Sequence, residues 1–249
     1  MLAIEQSARG YLVAAPGYGR HIVASDGSAA RSYLPAVPPW RWQRLLFAQV
    51  LPLAASLQGL HVAHASAVAA DGRAIGFVAA SGTGKTSVCA HLLAHGASFV
   101  TDDALAIETS ESRAVAHPGA GVISINPSEL RGMSRAGRAR LGPVVARPEA
   151  KIQVVVDPIS RPLPLERIYF LRREGNGRPW SISESASPDP TLLLASSFLW
   201  YLRDSRHLLA RLDAAASLAK AVRVFLVDIP ASVPAAEVAA RIGRHAEVR

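Results

Sequence analysis

The stretch RAIGFVAASGTGKTSVCAHLLAHGASFVTDD, from Arg73 to Asp103, restricts the fold more than any other part of the chain. An apolar run enters a glycine-rich turn, a helix-forming segment follows and stops at Gly96, and a second apolar run ends on two carboxylates. A short helical crossover joins strands that run in the same direction. The second strand is therefore expected to bring Asp102 and Asp103 back beside the glycine turn, at the sheet edge where α/β proteins bind ligands.

The turn itself, Ala79 to Thr86, matches the phosphate-loop pattern G-x-x-x-x-G-K-[ST] at every required position except the first, where Ala79 stands. Ser81, Gly82, Thr83 and Gly84 are expected to turn backbone N–H groups toward phosphate, helped by the free amides of the following helix. Lys85 would neutralise the outer phosphates, and the Thr86 hydroxyl is placed to ligate Mg²⁺. Of the paired carboxylates, one would accept a proton from an attacking hydroxyl and the other would hold the metal. The competing reading makes Asp102 or Asp103 a helix cap for ALAIE.

Upstream, LHVAHASAVAA and RAIGFVAA flank Asp71-Gly72, a dipeptide suited to a two-residue hairpin turn. That register sets His64 opposite Ala79, at the mouth of the loop. Asp228, at the end of RVFLVDIP, is a weaker competitor for the metal. His91 and His95 share a helix face and read as surface histidines, whereas Cys89 reads as a small core residue.

The remaining segments suggest strands at YLVAA, HIVAS, RAVAHP, GVISIN, KIQVVVD, LERIYFLRR and VRVFLVDIP. Helices are expected near PPWRWQRLLFAQV, near PSELRGM, between Thr191 and Ala221, and after Pro234. REGNGRPWSISESASPDP reads as a polar loop. The fold class is α/β, divided as 1–59, strands and a helix packing on or extending the core, and 60–249, a nucleotide-binding catalytic domain.

The net charge of +8 raises the possibility of a nucleic-acid partner. The arginines are nonetheless spread along the chain, and the dense cluster Arg131 to Arg140 has no aromatic residue to stack a base. No nucleic-acid partner is expected. No apolar segment is long enough for a helical membrane span, MLAIEQSARG lacks the pattern of a signal peptide, and one cysteine suits a reducing compartment. A cytoplasmic protein without a membrane partner is the expectation.

The order His64, Ser81-Gly82-Thr83-Gly84-Lys85-Thr86, Asp102-Asp103 resembles the catalytic domain of HPr kinase/phosphorylase, a family related to phosphoenolpyruvate carboxykinases. LPLAASLQGLHVAHASAV is similar to short HPr-kinase-related proteins, some of which phosphorylate lasso peptides. The resemblance implies a phosphate-loop domain with a mixed central sheet and flanking helices. It also implies ATP and Mg²⁺, and a serine-type hydroxyl on a peptide or small protein as acceptor. It assigns Asp102 as base, Asp103 in support of it or of the metal, and Lys85 and His64 to the phosphates. SELRGM is similar to the family's E-x-R-G segment and implies Glu129 as a second metal ligand; Arg206 falls where the family carries a functional arginine. Two other functions remain open: a nucleotide-responsive regulator without phosphotransfer, and a nucleic-acid-linked NTPase.

Overall fold

The computed structural model describes residues 1–148, 150–174, 179–199 and 201–248. The first strands, β1 (Ala3–Ser7), β2 (Gly10–Ala15), β3 (Gly19–Ala24) and β4 (Ala30–Tyr33), form an antiparallel meander. Sequence reading found only β2 and β3. The side chains of β4 are all exposed and those of β1 nearly so, which leaves no apolar alternation to read. A helix follows as α1 (Pro39–Leu45), a π-helical turn (Leu46–Val50) and α2 (Leu51–Leu57). Pro52 has no N–H to give the carbonyl four residues back, and the wide turn directly precedes it. Tyr11, Val13 and Val23 of the meander pack with Leu45, Val50 and Leu53 of this helix, and Leu199 and Leu202 complete the layer.

The expected strand LHVAHASAVAA is split. It forms β5 (His61–Ala63) and β6 (Ala65–Ala70), separated at His64. The hairpin from β6 to β7 (Arg73–Ala79) has the expected register, with Ala70 paired to Arg73 and Ala65 to Val78. Asp71 and Gly72 both have positive φ, 48° and 74°, as this turn requires. Then come α3 (Lys85–Ala94), β8 (Ser98–Thr101), β9 (Leu105–Thr109) and β10 (Ala114–Ala116). ALAIE, considered above as a helix, is the strand β9, because Leu105 and Ile107 alternate inward with period two.

Next are β11 (Val122–Ile125), α4 (Pro127–Gly132), α5 (Arg135–Arg140), β12 (Val144–Ala146) and β13 (Ile152–Val155). They precede β14 (Leu163–Glu174) and β15 (Ser181–Glu184), so the expected polar loop contains a strand; its residues 175–178 lie outside the described residues. The described chain closes with α6 (Pro190–Ala195), α7 (Ser205–Ala221), β16 (Arg223–Pro230) and α8 (Ala235–His245).

The result is a mixed α/β protein built on a nine-stranded sheet. Its main run is β15-β16-β14-β7-β6-β8, and β5-β9-β10 join it through the start of β14. β7, β14 and β16 are parallel; β6 is antiparallel to β7 and to β8. Thus β8 runs in the direction of β7, as the crossover requires, but β6 lies between them. One face packs on α3 and α8 through Phe77, Tyr169, Phe225, Val88, Val238 and Ile242. The other carries Ala67, Leu105, Ile168, Phe170, Leu193 and Leu218. β11, β13 and β12 make a separate three-stranded sheet beside α3.

Candidate active site

The loop between β7 and α3 adopts the conformation its glycines allow. Gly82 and Gly84 have φ of 84° and 106°, in the left-handed region open mainly to glycine. No atom lies within 4 Å of the place where a Cβ would stand on either residue. Gly84 is the N-cap of α3, and no side chain caps the amides of the helix's first turn. Ala79 is ordinary strand, paired with Leu171 and packed against the core, and does not have the positive φ that would demand glycine.

Five predicted residues converge beyond this loop. Asp102 and Asp103 follow β8, and Asp103, at φ 68°, is the centre of a tight turn closed by the Ala104 amide on the Asp102 carbonyl. Lys85, 9% exposed, sends Nζ to Asp103 Oδ1 at 3.2 Å, while Asp103 remains 49% exposed. Thr86 Oγ1 donates to Asp102 Oδ1 at 3.0 Å. His64 Nδ1 meets the carbonyl of Asp103 at 3.1 Å, which makes Nδ1 the protonated nitrogen and leaves Nε2 as an acceptor.

The structure adds partners that the sequence reading missed. Ser66 is fully buried and donates to Asp102 Oδ1 at 2.6 Å, and the Ser124 amide donates to Oδ2 at 3.4 Å. Ser66 was detectable as the one hydroxyl in an otherwise apolar strand. Phe198 stacks obliquely on His64, with centroids 5.5 Å apart, and the Ser196 carbonyl accepts from the His64 amide. Arg173 joins Thr83 to the turn after β16, donating to the carbonyls of Thr83, Pro230, Ala231 and Val233. Phe198 and Arg173 are remote in sequence and carry no motif.

Burial, then the neighbouring Asp103 charge, pushes the Asp102 carboxyl up; Ser66, Lys85 and Thr86 oppose that shift. Burial and then Lys85 pull the His64 imidazole down, with Asp103 opposing, so the neutral ring is favoured.

Other expected positions fall elsewhere. Glu129 bonds His91 Nε2 at 2.7 Å, about 9 Å along α3 from Lys85 at a rise of 1.5 Å per residue. It does not join the aspartates: among the described residues no three His, Cys, Asp or Glu side chains gather as a metal-holding group. His91 is correspondingly not a surface histidine. It is buried, and the Glu129 carboxylate compensates for that burial. Asp228 is held by Arg172 and Ser181. Arg206 is exposed on α7. Cys89 is buried, as expected.

The oxygen donors of Thr86, Asp102 and Asp103 suit a hard cation such as Mg²⁺, which takes few protein ligands and keeps several waters. The open, amide-lined loop suits phosphate.

No protein-family model matches the chain, and no curated protein does. Among solved structures, an Hpr(Ser) kinase/phosphatase from Coxiella burnetii is similar over 75% of this chain and 96% of its own, with 10% identity and a TM-score of 0.40. No helix among the described residues is long and apolar enough to cross a membrane.

Proposed function

We propose that the protein is an ATP-dependent, Mg²⁺-assisted kinase that transfers the γ-phosphate to a serine-type hydroxyl of a peptide or small protein, with a lasso-type precursor as one candidate acceptor. The observation that carries this reading is the convergence of Lys85, Thr86, Asp102 and Asp103 at the open glycine loop. Lys85 and the loop amides bind and orient the nucleotide phosphates, and His64 lends a neutral imidazole beside them. Thr86 and Asp103 would hold Mg²⁺, which when bound neutralises phosphate charge. Asp102 takes the proton of the acceptor hydroxyl; a carboxyl with raised proton affinity is the better base of the two. The attacking oxygen forms a bond to the γ-phosphorus as the bond to the bridging oxygen breaks, and ADP leaves.

A second assignment exchanges the aspartates. Thr86 bonds Asp102 rather than Asp103, and Asp103 faces solvent, so Asp102 could share the cation with Thr86 while Asp103 meets the acceptor. Phosphotransfer from radiolabelled ATP to serine peptides, followed across Mg²⁺ concentrations, separates the two. The first assignment expects Asp102→Asn to lower kcat about 100-fold or more at an unchanged Mg²⁺ requirement, and Asp103→Asn to raise that requirement. The reverse pattern supports the exchange. ATP binding without transfer to any acceptor would leave the nucleotide-responsive regulator as the reading.

A further inference from the structure

The three-stranded sheet and its helices form a module whose position and charge the proposed chemistry leaves unused. Its inner side is apolar: Ile123, Ile125, Ile152 and Val154 face the core with Met133 and Leu141. Gly137 lets α5 lie close on α3, since a Cβ there would stand 3.0 Å from that of Ala94. Its outer side is basic. Arg131, Arg135, Arg138, Arg140, Arg147 and Lys151 are all exposed, and none has an ion pair or a side-chain hydrogen bond among the described residues. Elsewhere some arginines are tied to carboxylates, as in Arg73–Glu166, Arg172–Asp228, Arg223–Glu184 and Arg241–Glu237, and others, such as Arg20, Arg31 and Arg113, are exposed singly rather than clustered on one module. In this module Glu129 is already committed to His91.

A cleft and two exposed valines lie beside the charge. A cleft of about 350 Å³ opens between the end of α3, the start of β8 and the α5–β12 connection. Leu93, Phe99, Leu141 and Val156 line it, together with Arg140 and Asp157. Val144 and Val145 on the neighbouring β12 are exposed. The same module reaches the candidate site, because the Ser124 amide of β11 is bonded to Asp102. The cleft and Asp102 lie toward opposite ends of β8, about 13 Å apart at 3.3 Å per residue.

We infer that this face docks an acidic peptide segment with apolar anchors, which belongs to the phospho-acceptor and delivers its hydroxyl to the aspartates. The identity of the segment as acceptor rests on the kinase reading; the docking does not. Six clustered cations without a carboxylate partner among the described residues attract carboxylates, and steering of this kind raises local concentration beside the site. The exposed Val144 and Val145 suit aliphatic side chains. A nucleic acid would instead need stacking platforms, and residues 127–157 contain no aromatic side chain.

The test measures binding without ATP, by fluorescence anisotropy, with a short labelled peptide carrying a serine, several glutamates and two leucines. Controls are the same peptide with glutamine for glutamate and an oligothymidylate of equal net charge. The acidic peptide should bind, and binding should weaken about tenfold when salt rises to about 0.3 M. An Arg131→Ser/Arg135→Ser/Arg138→Ser variant should bind it about tenfold less tightly, with unchanged melting and nucleotide affinity. Val145→Ser, a milder change, should weaken it a few-fold (about 1 kcal/mol or less). Equal binding of the glutamine peptide, or wild-type affinity in the triple variant, overturns the inference; tighter, arginine-dependent binding of the oligothymidylate assigns the face to nucleic acid instead. Docking without phosphotransfer would count against the kinase reading alone. Efficient phosphotransfer to peptides regardless of acidity would count against the docking face alone.

Discussion

Gly84 has φ 106° and ψ 15° with open space where a side chain would stand. Alanine there meets no clash, so its cost is conformational, about 1–2 kcal/mol. Gly84→Ala should lower the urea midpoint accordingly at an unchanged m-value, and it should weaken nucleotide binding because the loop amides turn away. An unchanged midpoint would mean the loop does not hold this conformation in solution. Ala79 shows the opposite case. The phosphate-loop pattern asks for glycine, but at the end of β7 the backbone is extended and paired, so an alanine methyl fits. At this scale the sequence was most legible where chemistry demands particular residue types: glycines at positive φ, a lysine and a threonine opening a helix, and aspartates ending a strand. Glu129 was the less legible case, since a short similarity carries no sign of the buried histidine on α3 that it pairs with.

Among elements, the break between β5 and β6 controls the site. His64 leaves the sheet line there, and Ser66, two residues on, is buried against Asp102. The hairpin register was legible because its turn is local and Asp-Gly determines it. The break was not, since it depends on β5 pairing with β9 and on residues 196–198 joining β5, contacts distant in sequence. Ser66→Ala removes a hydrogen bond that favours ionised Asp102, and the carboxyl should rise further. If ionised Asp102 is the base, the acid limb of the rate–pH profile moves to higher pH. Because the folded state already favours the protonated carboxyl, Asp102 contributes most to stability below its ordinary pKa, and that contribution is lost as pH rises through the raised value. The substitution should therefore cost more at neutral pH, about 1.5–3 kcal/mol, than in acid, and denaturant melts at the two pH values measure the difference.

At the scale of the whole molecule, the N-terminal layer, the main sheet and α7 meet around His61. This residue is 4% exposed, and neither ring nitrogen has a hydrogen-bond partner among the described residues. Beside it is a cavity of about 40 Å³, lined also by Ser56 in the last turn of α2, by Leu199, and by His207 and Arg211 of α7. Arg211 donates to the carbonyls of Leu199 and Leu202, and so anchors the segment whose Phe198 rests on His64. The charged and titratable groups near His61 are thus Arg211 and His207, the latter paired with Asp204. Burial, then Arg211, lowers the His61 pKa to about 4 from an ordinary value of 6.5. Between these values the unfolded chain binds a proton at His61 and the folded chain does not. Stability present above pH 6.5 is therefore lost as pH falls toward 4, by about 3 kcal/mol from this group. His61→Phe keeps a ring in the site and cannot take up the proton. Urea denaturation at pH 7 and pH 4 should show the wild type losing about 3 kcal/mol more than the variant. Other titrating groups affect both proteins alike and cancel in that difference. Parallel losses would mean that His61 accepts a proton in the folded state and that the junction opens to water as a unit.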